Sequence, residues 1–541
     1  MASKQDTRHP KFGHLPLSTS GPLDSALTAI LNPTDLPQGS ALLNTPYFNK
    51  GTAFTKEERD VFKLHGLLPQ NIQTLEDQVK RAYDQYSSRP NPLAKNTFMT
   101  SMKEQNEVLY YRLIQDHLKE MFSVIYTPTE GEAIANYSRL FRRPEGCFLN
   151  IDDVDRIPDD LDQFGPSDEI DLIVVSDGEQ NEELLNDDLY LGLRKQRARG
   201  EKYDAFVDKF VTSARKRYPR AYIHFEDFGL PNARRILDRY TPKIPCFNDD
   251  VQGTGCVTLA AIMSAMRIAN VDYKDMRVLL FGSGTAGTGI ADQIKDAIAV
   301  STEKSVEEAG AQIWCVDKPG LLLKSKKDEL TPAQVGYARE DSEWEGKDHS
   351  DLLSVIKEVK PHVLIGTSTK PGAFTQEAIE EMAKHVERPI IFPLSNPTKL
   401  HEAKPADLFE WTKGKCLVAT GSPFDPVEYD GKKYEIGKAP ALKDENKGTP
   451  REVALLPDVT DVREISVHIA KAVIKKAIEE GLNEEKSIPE NDDDLEEWIR
   501  EQMWDPVYRP LRKVDPQGAS RLAKGEAGAS SVRRPGSFSY H

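Results

Sequence analysis

One short stretch, in which an apolar strand runs into a glycine-rich turn and then a helix, constrains the fold of this chain most. Residues 278–281 are all apolar, and helical spacing follows over about 286–300. The turn between them has the spacing G-x-G-x-x-G. Gly282 allows the tight turn, Gly284 lets backbone approach a pyrophosphate, and Gly287 lets the helix pack on the strand. The combination predicts a dinucleotide-binding α/β domain rather than a glycine-rich turn without a ligand.

The next predicted strand, 313–316, ends at an acidic residue, Asp317. A carboxylate at this place accepts hydrogen bonds from the adenosine ribose hydroxyls and repels a 2′-phosphate, so it favours NAD. Lys324, Lys326 and Lys327 follow closely and keep NADP open as the alternative.

Composition excludes several classes of function. The 541 residues carry a formal charge of −16, which argues against nucleic acid or an anionic membrane as the main partner. The five cysteines form no C-x-x-C pair, so a reducing compartment is expected. No apolar run is long enough to suggest a membrane span. We expect a cytoplasmic protein, with the mitochondrial matrix as the alternative because Lys4, Arg8 and Lys11 are basic.

Alternating strands and helices predict a multidomain α/β protein with parallel sheets. A capping box, Thr55 to Glu58, opens an N-terminal helical region, and 106–122 has helical apolar spacing. The predicted strands begin with 147–151 and 171–175. The predicted parts are an N-terminal helical region (1–140), an α/β metal and substrate domain (141–275), a Rossmann-like NAD-binding domain (276–445), a C-terminal helical part (446–514) and a disordered tail (515–541).

Two predicted strands of the middle region each end in paired acids. Residues 221–225 lead into Glu226 and Asp227, and 244–247 lead through Asn248 into Asp249 and Asp250, with a crossover helix predicted at 231–240. Carboxyl ends of parallel strands share one sheet edge, where ligands bind. Carboxylates that converge there repel one another unless a cation lies among them, and oxygen ligands select Mg²⁺ or Mn²⁺. The alternative is a set of solvated acids in polar loops.

A dinucleotide site beside a hard-metal site indicates oxidation of a 2-hydroxy acid. The metal would chelate the hydroxyl and carboxylate oxygens and would stabilise an enolate if CO₂ then leaves. A base must take the hydroxyl proton, and an acid must protonate the enol carbon.

Several longer motifs resemble those of malic enzymes, including fungal members. They are 49–54 (NKGTAF), 64–69 (LHGLLP), 126–129 (YTPT), 141–144 (FRRP), 225–228 (FEDF), 247–250 (FNDD), 394–398 (LSNPT) and 421–424 (GSPF). The resemblance extends over about 45–510. It implies NAD-dependent oxidative decarboxylation of L-malate to pyruvate and a homo-oligomer, either dimer or tetramer.

The resemblance also implies roles for individual residues. Tyr126 would be the general acid, Asp249 would support the catalytic hydrogen-bond network, and Asn396 would contact substrate and nicotinamide ribose. The metal ligands would be Glu226, Asp227 and Asp250.

The chain departs from the family pattern at two junctions. At Gln180 it passes directly from 175–179 to 181–185, without the glycine-rich turn, the helix with the base lysine and the strand that follows. After 434–436 a second segment is missing. We therefore expect impaired activity in the chain as written. The alternatives are a non-catalytic NAD- or metal-binding homologue, such as a regulatory partner, and a hydroxy-acid dehydrogenase that does not decarboxylate.

Overall fold

The computed structural model describes residues 38–167, 170–178, 184–396, 398–422, 424–440, 452–483, 485 and 487–511. The first junction and the predicted tail lie outside these ranges. The chain forms two compact units: Met1–Phe148 with Asp162–Glu169 and Val462–His541, and Leu149–Leu161 with Ile170–Asp461. The five-part division predicted above stays a prediction.

The first unit is helical. Its core includes the buried side chains of Tyr86, Met99, Leu113 and Met121. In chain order its helices are α1 (Ser40–Leu43), α2 (Lys56–Val61), α3 (Leu75–Ser87), α4 (Pro92–Lys103), α5 (Glu107–Asp116), α6 (Leu118–Ile125) and α7 (Thr129–Ala135), with α18 (Val462–Glu479) and α19 (Asp492–Glu501) from the end of the chain.

The predicted capping box is confirmed, because Thr55 Oγ1 accepts from Glu58 N at 3.2 Å and Glu58 Oε2 accepts from Thr55 N at 3.1 Å. The predicted helical stretch over 106–122 is present, but it is divided between α5 and α6. Helix α5 ends before His117, whose φ is −130° and whose ring stacks on Tyr83 at 4.0 Å. Both helices keep the same apolar spacing, so periodicity alone did not reveal the break.

The second unit begins with a three-stranded parallel sheet of order β1-β2-β3. One face packs on a core that includes Ile223 and Phe225. The predicted strand at 147–151 is wrong: this stretch is irregular, Phe148 is 68% exposed, and Leu149 packs on the core without strand geometry. The elements are β1 (Leu172–Val175), β2 (Tyr222–Phe225) and β3 (Cys246–Asn248), with helices α8 (Ile157–Leu161), α9 (Glu201–Arg217) and α10 (Leu230–Tyr240).

A six-stranded sheet of order β6-β5-β4-β7-β8-β9 completes the main architecture. Every neighbouring pair is parallel except β5–β6. Helices cover both faces. The strands are β4 (Val278–Phe281), β5 (Ile313–Asp317), β6 (Gly320–Leu321), β7 (Val363–Gly366), β8 (Ile390–Pro393) and β9 (Leu417–Val418); the helices are α11 (Thr254–Ala269), α12 (Thr285–Thr302), α13 (Val306–Gly310), α14 (Pro332–Val335), α15 (Leu352–Val359), α16 (Gln376–His385) and α17 (Pro405–Trp411). The predicted fold class, α/β with parallel sheets, is confirmed.

Two antiparallel pairs complete the second unit. They are β10 (Val427–Tyr429) with β11 (Lys432–Tyr434), and β12 (Lys438–Pro440) with β13 (Glu452–Ala454).

Apolar side chains are exposed on the outer face of the three-stranded sheet. Leu172 and Val174 on β1 are 54% and 58% exposed, and Tyr222 lies opposite Leu172 on the same face. The opposite face of the sheet carries the core. Among the described residues, the apolar side chains of β1 on this face are therefore largely open to solvent.

One helical segment, Asp249–Ala269, is long and apolar enough to cross a membrane by length and composition. Within it Ala261, Ile262, Ala265 and Met266 are buried against the six-stranded sheet. A core helix has the same composition, so this finding is weak evidence for a span.

Candidate active site

The acids predicted at the strand ends do converge. Glu226, Asp227 and Asp250 each place a carboxylate oxygen so that the three atoms lie within 4.8 Å of one another. Glu226 and Asp227 follow β2, and Asp250 follows the neighbouring β3. Because parallel strands bring their carboxyl ends to one edge of the sheet, these acids lie close together. Asp227 has a left-handed φ of 50°, and its N–H donates to Asp250 Oδ2 at 3.0 Å.

The electrostatics of this cluster favour a bound cation. Burial raises the pKa of the Glu226, Asp227 and Asp250 carboxyls, and neighbouring carboxylates raise each of them further. These three residues are half-buried, exposed and half-buried in that order. A hard divalent ion would remove the mutual repulsion, and an all-carboxylate donor set suits Mg²⁺ or Mn²⁺. The residues present therefore fit such an ion.

His224 contacts the cluster, although sequence analysis assigns it no role. Its Nε2 lies 2.9 Å from Glu226 Oε2, two residues along the chain. A histidine bonded to a carboxylate ligand orients that ligand. Because β-strand alternation places His224 and Glu226 on the same side, the spacing of two residues was the signal that could have revealed the contact.

A second set of contacts that sequence analysis missed surrounds Asp177, just after β1. The Tyr203 hydroxyl donates to Asp177 Oδ2 at 2.8 Å, and the Gly229 N–H approaches the same oxygen at 3.4 Å. The Arg197 guanidinium donates to the carbonyl oxygens of Asp177 and Gly178 at 2.8 and 2.6 Å. These contacts link the end of β1 to the loop that carries Asp227.

The dinucleotide turn has the predicted arrangement of strand, turn and helix. Gly282 has φ of 99°, and a Cβ there would lie 2.5 Å from Ser368 N, so a side chain is excluded on both counts. A Cβ on Gly287 would meet the carbonyl oxygen of Gly282 and Thr367 Oγ1. No described atom lies within 4 Å of a Cβ on Gly284. Gly284 is the N-cap of α12, whose N-terminus favours an anionic ligand.

Asp317 lies at the end of β5, as predicted, and is bonded to the same turn. Its Oδ2 accepts from both Ser283 N and Ser283 Oγ at 2.7 Å. The Gln334 amide donates to Ser283 Oγ at 3.0 Å and approaches Asp317 Oδ2 at 3.4 Å. Gln334 is a further neighbour of this turn that the sequence pattern did not indicate.

The remaining predicted residues lie in three different places. Asp249 begins the short π-helical turn Asp249–Gly253 next to Asp250. Asn396 is exposed after β8, and its Oδ1 accepts from Ser422 Oγ at 2.5 Å. Tyr126 belongs to the other compact unit, directly after α6, and is 44% exposed. Lys195, which follows the first junction in the chain, is 62% exposed and paired with Asp152.

Comparison with known proteins decides the family. Residues 251–442 match the family described as "Malic enzyme, NAD binding domain", and 103–180 and 178–241 match "Malic enzyme, N-terminal domain". The chain is 42% identical to the mitochondrial NAD-dependent malic enzyme of Saccharomyces cerevisiae over 87% of its own length and 83% of the relative's. This chain belongs to the malic enzyme family.

Other members of the family match over similar lengths. NAD-dependent malic enzyme 3 of Bacillus subtilis is 42% identical over 88% of this chain and 97% of its own length. The enzyme of Schizosaccharomyces pombe is 41% identical over 88% and 98%. The solved malic enzyme of Pyrococcus horikoshii aligns with 71% of this chain and 88% of its own at 19% identity and a TM-score of 0.41.

The matches also reflect the first junction. The N-terminal-domain match falls into two pieces that meet at 178–180, where the direct join was identified. The alignment with the yeast relative is 559 residues long but covers only 87% of this 541-residue chain. The relative therefore carries internal residues that have no counterpart here.

No finding supports the expected impairment or the non-catalytic alternative. The three relatives above, which align with most of this chain, are all named as NAD-dependent malic enzymes. The effect of the omitted residues on turnover stays a prediction for direct assay.

Proposed function

We propose that this chain catalyses the oxidative decarboxylation of L-malate to pyruvate and CO₂, with reduction of NAD. The observation that carries the proposal is the convergence of Glu226, Asp227 and Asp250 within 4.8 Å at the carboxyl edge of a parallel sheet. In this family of NAD-dependent enzymes, such a donor set suits the chelation of a 2-hydroxy acid.

Glu226, Asp227 and Asp250 would hold Mg²⁺ or Mn²⁺. When bound, the ion supplies Lewis-acid polarisation of the substrate oxygen and stabilises negative charge as CO₂ leaves. His224 orients the Glu226 carboxylate, and the Asp177 contacts position the loop that carries Asp227.

Three further roles rest on the family resemblance. Tyr126 would protonate the enol carbon as the general acid, Asp249 would support the hydrogen-bond network, and Asn396 would bind substrate and nicotinamide ribose. Ser422 Oγ donates to Asn396 Oδ1, so the amide nitrogen of Asn396 would remain available to donate to a ligand.

The nucleotide would bind at Gly282, Gly284 and Gly287, with its pyrophosphate at the N-terminus of α12. Asp317 favours NAD over NADP, because a carboxylate at the end of β5 would repel a 2′-phosphate. The names of the relatives, which specify NAD dependence, support the same choice.

We further propose a homo-oligomer, dimer or tetramer, in the cytoplasm, with the mitochondrial matrix as the alternative. The yeast relative is named as mitochondrial, and the Bacillus relative carries no such word. Light scattering after size exclusion would measure the assembly, and subcellular fractionation would decide the compartment.

The test of the proposed activity follows NADH formation and CO₂ release together, with L-malate, NAD and Mn²⁺. We expect both products in equal amounts and neither after chelation with EDTA. NADH without CO₂ would indicate a hydroxy-acid dehydrogenase that does not decarboxylate. Nucleotide binding without either product would favour the non-catalytic alternative.

A further inference from the structure

A fully buried carboxylate lies beneath the nucleotide side of the six-stranded sheet. Glu402 is 0% exposed, and its Oε1 accepts from Ser368 N at 2.8 Å, Ser368 Oγ at 2.8 Å and Ser395 Oγ at 2.5 Å. Its Oε2 is buried without a hydrogen-bond partner among the described residues. Burial of an incompletely paired carboxylate is costly, so its position calls for an explanation beyond packing.

The hydrogen bonds from Ser368 connect Glu402 to the glycine-rich turn that begins at Gly282. Ser368 follows β7, and its N–H lies where a Cβ on Gly282 would be only 2.5 Å away. The neighbouring Thr367 Oγ1 donates to the Gly282 carbonyl oxygen at 2.7 Å. Because backbone of the turn rests directly on backbone of this loop, the position of Ser368 determines how Gly282 is placed.

The hydrogen bond from Ser395 connects Glu402 to the loop after β8. Ser395 Oγ donates to Glu402 and accepts from Thr369 N at 2.8 Å, so it joins the two loops. Asn396, proposed to contact the nicotinamide ribose, is the next residue. One carboxylate oxygen thus ties together the loops at the ends of two adjacent strands.

We infer that Glu402 is a positioning residue for the nucleotide site, acting through Ser368 on the Gly282 turn and through Ser395 on Asn396. The inference rests on the proposed binding of NAD at Gly282, Gly284 and Gly287. Three short hydrogen bonds to one charged oxygen hold loop backbone more firmly than neutral bonds do. Ligands in such sheets bind beyond the carboxyl ends of the strands, where these loops lie.

The test replaces Glu402 by glutamine, which keeps the size of the side chain and removes its charge. Glu410→Gln is the matched control, since Glu410 is exposed in the same part of the chain, on α17. NADH affinity is measured by fluorescence titration of the full chain, and Mn²⁺ affinity by calorimetry. We expect Glu402→Gln to weaken NADH binding about tenfold, as for the loss of a hydrogen bond to a charged group. Mn²⁺ binding should not change, and the control should match the parent for both ligands.

Ser368→Ala and Ser395→Ala guard against a variant that fails to fold. Each removes a hydroxyl donor to Glu402, so each should weaken NADH binding, and neither should weaken it much further in the Glu402→Gln background. Folded variants of all three positions with parental NADH affinity would overturn the inference. Equal losses of NADH and Mn²⁺ affinity would also overturn it, since they would mean a general effect on the fold. A parent chain that binds no NADH would instead overturn the proposed nucleotide site itself.

Discussion

The substitution Asp250→Asn tests the metal site most directly, because asparagine keeps the shape of the side chain and removes one of the converging charges. We expect Mn²⁺ affinity to fall by at least about 100-fold, or about 3 kcal/mol. Changes to residues that merely orient a ligand already cost about 10- to 100-fold, and Asp250 is proposed to be a ligand itself.

The geometry also predicts an opposite effect on the metal-free protein. At the 4.8 Å limit within which the oxygens lie, two unit charges repel by about 3 kcal/mol at an effective dielectric constant of about 20. Solvent reduces this figure, above all at the exposed Asp227. Removal of one charge should therefore leave the metal-free melting temperature unchanged or raised, while the stabilisation by added Mn²⁺ disappears.

Calorimetric titration with Mn²⁺ measures the first effect, and thermal unfolding with EDTA or with Mn²⁺ measures the second. Asp275→Asn is the control, since Asp275 is exposed before β4 and outside the cluster. If the parent binds Mn²⁺ and Asp250→Asn binds it equally well, the ion lies elsewhere and the assignment is wrong. A lower metal-free melting temperature would refute the argument from repulsion.

Substitutions at the glycine-rich turn and at Asp292, and restoration of both junctions, test the other assignments. Gly284→Val should abolish most NADH binding at an unchanged melting temperature, because its side chain would enter space free of described atoms. Gly282→Ala should instead lower the melting temperature, because its Cβ would clash with Ser368 N. A Gly284→Val variant that binds NADH normally but melts at a lower temperature would refute the proposed role of this turn in binding. At Asp292, burial opposes ionisation, but hydrogen bonds from Tyr337 and Arg234 outweigh it and lower the pKa of this carboxyl. Its stabilisation is therefore present above the unfolded pKa and is lost as the pH falls through the folded pKa. Asp292→Asn should cost about 1–2 kcal/mol near pH 7, and this cost should shrink as the pH falls below the unfolded pKa; a cost in thermal unfolding that does not change with pH would contradict this. Restoration of family-like residues at both junctions should raise malate turnover above that of the chain as written, since general-base assistance is worth about 10²- to 10⁴-fold; equal rates of NADH formation would show that the base is already present.

Local features of this protein were determined by its sequence. The strand, turn and helix around Gly282 depend on neighbours a few residues apart, and so does the capping box at Thr55. The convergence of Glu226 and Asp250 was also predictable, since parallel strands with acids at their carboxyl ends must share an edge. One long helix and two helices with a break between them have the same apolar period, so the sequence could not predict the break before His117.

Only the tertiary structure decided which distant side chains support these sites. Arg197 and Tyr203 surround Asp177 from some twenty residues away along the chain, and Glu402 joins Ser368 to Ser395 beneath the nucleotide loops. No periodicity relates these positions. Their contacts arise because the order of strands in each sheet brings loops together, and strand order is set by packing of the whole core rather than by any local preference of the chain.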